Sequence, residues 1–272
     1  MASPLSSSFA ARGSFEDYPA SAVRKIGTHA LQWEDIAVCK GTLRYATIGE
    51  GPPLVLLHGL SCSHEWWSRN LLALAAHFRV YTVDLLDPQP GDFQLSEAPQ
   101  RLIAWMAAVG LEKAIFMGHS MGGYIAAELA ADYPAAINKL VLVSPAFFRT
   151  HRFPIPSELL RHASDWIPLA LAPLLVRNAW RIGPRVLLRT AFTLLRGRAR
   201  GKLGEIDAPT LIVWGARDAL IPLKNGRELQ RAVRGSLLHL LPSAEHSPMW
   251  EASREFNEVV LDFLRAKTLS NP

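Results

Sequence analysis

The chain has only two cysteines in 272 residues, Cys39 and Cys62. That excludes a disulfide framework and leaves no cysteine spacing suited to zinc or iron–sulfur. The pair is compatible with a reducing, cytoplasmic setting. Long apolar runs are missing too. The nearest, "WIPLALAPLLV" at 166–176, falls short of the ~20 residues of a membrane span and holds two prolines. The opening "MASPLSSSFAARGSFEDYPA" has no long apolar segment, which argues against a secretory signal peptide, and Glu16 and Asp17 weaken a transit-peptide reading. It reads as a loose arm over residues 1–28. No internal repeat, dinucleotide fingerprint or Walker loop is found, so no organic cofactor or metal is expected.

Acidic residues are scarce in one place. Between Pro145 and Glu205 there are eleven Arg and Lys against three Asp and Glu, a local balance of +8 in a chain of net charge +5. The remainder is therefore about −3.

What is present is a rhythm. Apolar runs "PLVLLHG", "RVYTVDL", "KAIFMGHS", "INKLVLVSP", "APTLIVWG" and "GSLLHLLPS" alternate with helical patterns. The helical segments are "HEWWSRNLLALAAHF", "SEAPQRLIAWMAAVG" closing on Gly110, "MGGYIAAELAADYP", "PLKNGRELQRAV" and "MWEASREFNEVVLDFLRAK". Alternation of this length predicts an α/β fold, a mostly parallel twisted sheet with helices on both faces. Near-continuous apolar strands suit a parallel sheet buried on both sides. Upstream, "ALQWEDIAVCKGTLRYATIGEG" reads as short antiparallel strands at the sheet edge. The basic 145–205 interval breaks the rhythm and reads as a helical cap inserted between core segments 29–144 and 206–272.

Chemistry is suggested first by Gly118-His119-Ser120-Met121-Gly122, a G-x-S-x-G pattern between a strand and a helix. A serine on such a sharp turn projects beyond the sheet's carboxyl edge, and flanking glycines avoid collisions. The amides that follow begin a helix, where developing negative charge is favoured. His119 is adjacent in sequence, but its side chain diverges from the serine hydroxyl, so a supporting role is expected for it. The expected base is His246, in the loop after "SLLHLL" and before the last helix, at a strand's carboxyl end where such sites collect. His239 lies within that strand and reads as a core residue. Asp218 follows "TLIVWG" in the matching place one strand earlier, suited to fixing an imidazole's tautomer. His58-Gly59-Leu60 follows another strand, and the backbone N–H groups of Leu60 and Met121 are candidate oxyanion donors.

These segments closely resemble the α/β-hydrolase superfamily from about Ile36 to Lys267: "HGL", "GHSMGG", "GARDALIP" and "AEHSPMWE" stand in the family's order. The resemblance implies Ser120 as nucleophile, Asp218 as acid, His246 as base, and Leu60 and Met121 as oxyanion hole, with His58 and Gly59 shaping its loop. Serine at the elbow separates the chain from haloalkane dehalogenases and epoxide hydrolases, which use aspartate there; hydroxynitrile lyases are not separated by the triad. The family's D-x-x-G-x-G-x-S stretch is replaced by "DLLDPQPGDFQLS", in which Asp84 keeps its place.

The expected activity is ester hydrolysis through an acyl-enzyme on a small-molecule, apolar or lipid-like substrate. Acyl transfer, thioester cleavage and perhydrolysis share the machinery. A non-catalytic ligand-binding or accessory role is a different class. In the basic segment, Arg177, Arg181, Arg185 and Arg189 recur every four residues, interrupted by Gly183-Pro184. A solvated basic face over an apolar pocket is the preferred reading, ahead of peripheral contact with an anionic membrane. No nucleic-acid partner is expected, because no such motif accompanies the charge.

Overall fold

In the computed structural model, residues 31–38, 41–86, 94–147, 171–196 and 198–266 are described. The proposed arm at 1–28 and the first part of the insertion, 148–170, lie outside them, as does 87–93 in the altered glycine-turn stretch.

Eight strands form one sheet in the order β1-β2-β4-β3-β5-β6-β7-β8. They are β1 Gln32–Val38, β2 Gly41–Ile48, β3 Pro53–Leu57, β4 Arg79–Asp84, β5 Ala114–His119, β6 Ile137–Val143, β7 Thr210–Gly215 and β8 Leu237–Leu241. β1 and β2 pair antiparallel, as does β2 with β4, while every pairing from β4 through β8 is parallel. The parallel strands are apolar because both faces are covered: β5 and β7 are buried at every position. β1 is largely exposed, as an edge strand can be.

The helices are α1 Leu71–Ala75, α2 Ala98–Ala108, α3 Met121–Asp132, α4 Ala172–Ile182, α5 Pro184–Arg196, α6 Leu223–Ala232, α7 Pro248–Glu251 and α8 Ser253–Arg265. One apolar cluster packs around Trp105, Phe116, Tyr124 and Trp214, with α2 and α3. The other packs around Trp67, Met117, Val213 and Phe256, with α8. The core is thus two layers, one on each face of the sheet.

Two helical readings are corrected in detail. "HEWWSRNLLALAAHF" forms a 3₁₀ turn, His64–Trp67, and then the short α1. The break falls at Asn70, whose Nδ2 donates to Met249 O at 3.0 Å and Asn257 Oδ1 at 2.8 Å, fastening it to distant chain. The last helix divides into α7 and α8 at Ala252, with φ −124° and ψ 47°. The arginine-bearing segment is interrupted where expected: it is two helices, parted at Gly183 with φ +81°, followed by Pro184 at the start of α5. Gly110 does end α2: its φ is +74°, and the Leu111 N–H returns to Met106 O at 2.8 Å.

Candidate active site

The candidate site residues stand at or just beyond the carboxyl ends of strands on one edge of the sheet. His58 follows β3, Asp84 ends β4, Ser120 follows β5, Asp218 follows β7 and His246 follows β8.

Ser120 has φ +51° and ψ −114°, outside the regions comfortable for an L-residue. Its conformation is over-determined by its neighbours. The Ser120 N–H donates to Val143 O at 3.0 Å, and Ser120 O accepts from Ala146 N at 2.9 Å and Tyr124 N at 3.0 Å. The two flanking glycines are required by close backbone approach. A Cβ on Gly118 would stand 2.3 Å from Gly122 O, and one on Gly122 would stand 2.3 Å from Leu57 O.

His246 and Asp218 arrive on two loops tied to each other. Ala216 N–H donates to Leu241 O and Arg217 N–H to Ala244 O, each at 3.0 Å. Gly215 makes this approach feasible: a Cβ there would fall 1.8 Å from Glu245 O. His246 Nδ1 lies 2.9 Å from Asp218 Oδ2, and His246 Nε2 lies 3.2 Å from Ser120 Oγ. A carboxylate only accepts, so Nδ1 carries the proton and Nε2 is left to accept from the serine hydroxyl. The other Asp218 oxygen accepts the Ile221 N–H at 2.8 Å. Asp218 and His246 are both buried, 5% and 6% exposed, so bulk water does not compete strongly for these bonds.

His119 does not face the serine. Its Nε2 lies 2.9 Å from the His246 backbone carbonyl, to which it donates, and the two rings sit 4.9 Å apart. Burial, reinforced by the nearby His246, holds its pKa well below the usual 6.5, so the ring is neutral. It acts as a strut under the loop bearing His246.

The His58-Gly59-Leu60 loop lies against the serine: a Cβ on Gly59 would stand 3.3 Å from Ser120 Cβ. The Cys62 N–H closes a turn onto Gly59 O at 3.1 Å, with Ser61 at φ +59°. Met121 is the first residue of α3, where backbone amides lack intrahelical partners. Among the described residues, neither the Leu60 nor the Met121 amide donates to a backbone carbonyl outside helix or strand. His58 braces this loop. Its Nδ1 lies 2.8 Å from Gly59 O, and its Nε2 lies 3.2 Å from Asp84 Oδ1 and 3.1 Å from the Leu85 amide nitrogen. Burial opposes ionisation of Asp84 most strongly, but its contacts with His58, Arg181 and the Leu86 N–H together bring its pKa down to about 2. Burial pushes the Cys62 thiol up, away from thiolate chemistry.

Sequence reasoning did not find Glu251, nor the rim contacts of Arg177 and Arg181. Glu251 Oε2 accepts the Glu245 N–H at 2.5 Å and Oε1 accepts the Ser247 N–H at 3.2 Å, clasping His246 from both sides. Its signal was a glutamate five residues after the histidine, indistinguishable from a solvated helix residue. Arg181 Nη2 lies 3.5 Å from Asp84 Oδ2, and Arg177 Nη2 lies 2.8 Å from Glu65 Oε2, joining α4 to the rim beside the His58 loop. His239, expected in the core, is instead partly exposed, 4.0 Å from Glu255, because β8 ends the sheet. Near the rim, Trp33, His64, Asp84, Arg177, Asn178 and Arg181 help line a charged cavity of about 420 Å³. Among the described residues no cluster of His, Cys, Asp or Glu is disposed to hold a metal ion.

A strained serine between β5 and α3, with the later loops converging on it, defines a hydrolase of the α/β type. The chain belongs to the alpha/beta hydrolase family, whose model matches residues 54–259. It is 27% identical over 262 residues to the 2-hydroxy-6-oxo-6-phenylhexa-2,4-dienoate hydrolase of Comamonas testosteroni, covering 83% of this chain and 92% of that one. A hydrolase from Pseudomonas aeruginosa PA01 superposes with a TM-score of 0.74 at 25% identity, covering 86% of this chain and 99% of that one. The enol-lactonase of Burkholderia xenovorans LB400 shares the fold, with a TM-score of 0.71 at 23% identity, covering 86% of this chain and all 100% of that one.

Proposed function

We propose that this protein is a serine hydrolase that cleaves a carboxylic ester with an apolar acyl group, by way of an acyl-enzyme. The observation that carries the reading is the hydrogen-bonded line Asp218–His246–Ser120, with its terminal hydroxyl on the strained elbow. In this mechanism His246 Nε2 removes the Ser120 proton as Oγ attacks the ester carbonyl. The carbonyl oxygen becomes an oxyanion held by the Leu60 and Met121 amides, a contact worth ~3 kcal/mol per donor in comparable sites. Asp218 keeps the proton on Nδ1 and stabilises the imidazolium. His246 then protonates the departing alkoxide. Water, deprotonated by the same nitrogen, attacks the acyl-enzyme and releases the acid and free Ser120. The insertion between β6 and β7 serves in this reading as a cap that bounds the substrate's acyl side.

The test is a panel of p-nitrophenyl esters of increasing acyl length, with Ser120→Ala as control. Turnover by the wild type that rises with acyl length and disappears in Ser120→Ala is expected. Equal rates in the two proteins would overturn the reading.

A second reading has support of its own: the Comamonas relative is a hydrolase of an oxo-dienoate. The same serine would then attack a ketone carbonyl and release a carbon leaving group. Turnover of 2-hydroxy-6-oxo-6-phenylhexa-2,4-dienoate exceeding that of every ester would favour this second reading.

A further inference from the structure

Helices α4 and α5 place apolar side chains outward. Asn178, Ile182, Val186, Thr190 and Leu194 turn in and are buried, each four residues from the next. The opposite faces are exposed. On α4, Val176 is 70% exposed and Trp180 89%; on α5, Leu188 is 71% and Phe192 54%. Among the described residues only Trp33, Leu72 and Leu237 are other exposed large apolar side chains, and they are scattered over the rest of the fold. Arginines flank these faces: Arg185 and Arg189 beside Leu188 and Phe192, while Arg177 and Arg181, beside Val176 and Trp180, turn to Glu65 and Asp84 at the rim. No aspartate or glutamate occurs anywhere in 171–196.

We infer that the outward faces of α4 and α5 form a docking surface for an anionic lipid bilayer. A face of Trp, Leu and Phe set among arginines suits the layer where acyl chains meet headgroups: the rings and aliphatic groups enter the apolar side, and the guanidinium groups remain among the phosphates. A second copy of the chain fits less well, because a two-fold contact would oppose arginine to arginine with no carboxylate in either helix. Nucleic acid would satisfy the arginines and leave Trp180 and Leu188 in water. The Arg177–Glu65 and Arg181–Asp84 pairs fix α4 against the rim beside the His58 loop, so the docked face holds a set orientation to the site edge. The proposal concerns binding and stands apart from the chemistry at Ser120.

The full chain is sedimented with vesicles of phosphatidylcholine alone and with vesicles containing phosphatidylglycerol, at low and at raised salt. Partitioning at least about tenfold stronger on the anionic vesicles, weakened by salt, is expected. Arg185→Ala should lower it ~5-fold, and the pair Trp180→Ser and Leu188→Ser about tenfold or more. Leu72→Ser, an exposed apolar position elsewhere, should leave it unchanged, and circular dichroism verifies that each variant is folded. Equal partitioning on both vesicle types, or unchanged binding by the folded Trp180→Ser and Leu188→Ser variant, would overturn the proposal. So would a lipid-free dimer that Trp180→Ser dissociates, because the face would then belong to a second copy.

Discussion

The elbow around Ser120 and the helical pair α4–α5 are opposite kinds of structure. At the elbow nearly every atom has an assigned neighbour: glycines stand where no Cβ fits, and the strained serine is held at both its N–H and its C=O. On α4–α5 the inner faces pack, while the outer faces carry Trp180, Val176 and Leu188, which stay exposed among the described residues. Internal packing explains most of the first region and, among the described residues, only the inner half of the second. The unexplained half, chosen against the tendency of large apolar residues to be buried, points outside the molecule.

The largest expected effect tests the tight region. Asp218→Asn preserves size but can donate to Nδ1, which favours the wrong imidazole tautomer. A kcat reduced by ~10⁴ with KM little changed is expected from ester kinetics; a kcat within about tenfold of the wild type would detach Asp218 from the chemistry. Next in size is a matched pair of glycine substitutions. Gly122→Ala drives a Cβ to 2.3 Å from Leu57 O, at a cost of about 3 kcal/mol or more. Gly204→Ala, between α5 and β7, meets nothing within 4 Å and should fall within about 0.5 kcal/mol of the wild type. Urea unfolding reads both, and similar losses in the two would erase the contrast.

A smaller effect isolates His119. In the unfolded chain this histidine binds a proton below its ordinary pKa of 6.5, and in the folded chain burial prevents it. Stability attributable to this site is therefore complete above pH ~6.5 and falls as pH drops below it, by up to ~1.4 kcal/mol per pH unit until the depressed folded pKa is reached. His119→Gln removes the titration and retains a donor for the His246 carbonyl. Between pH 7 and 5.5 it should lose about 1 kcal/mol less stability than the wild type, while its kcat stays closer to wild type than that of His119→Ala. Parallel pH profiles would show that His119 is not the strut described. The smallest effect belongs to the rim. Arg177 is 60% exposed on its side of the Glu65 pair, so Arg177→Ala should change stability by no more than ~1 kcal/mol.

Much of this was legible in the sequence. The parallel strands are apolar because both faces are buried, so their succession along the chain could be read directly, and the antiparallel β1–β2 edge was visible as well; their order across the sheet was not. Ser120, Asp218 and His246 were legible because each follows an apolar strand, and the structure brings the three side chains into one hydrogen-bonded line. Interruptions were harder. Asn70 breaks a helical pattern through partners 179 and 187 residues away, and Glu251, just before the break at Ala252, turns back to the His246 loop. Such long-range and reversed contacts leave no periodic trace. His239 was misplaced because an apolar strand pattern does not reveal which strand ends the sheet.

The central claim is that Ser120 is a nucleophile activated by His246. Titration with a fluorophosphonate, followed by intact-protein mass spectrometry and peptide mapping, tests it most directly. The account predicts one phosphonyl group per chain on Ser120, none on Ser120→Ala, and labelling of His246→Ala slowed by ~10³-fold or more. An unlabelled wild type, or equal labelling of Ser120→Ala, would contradict it.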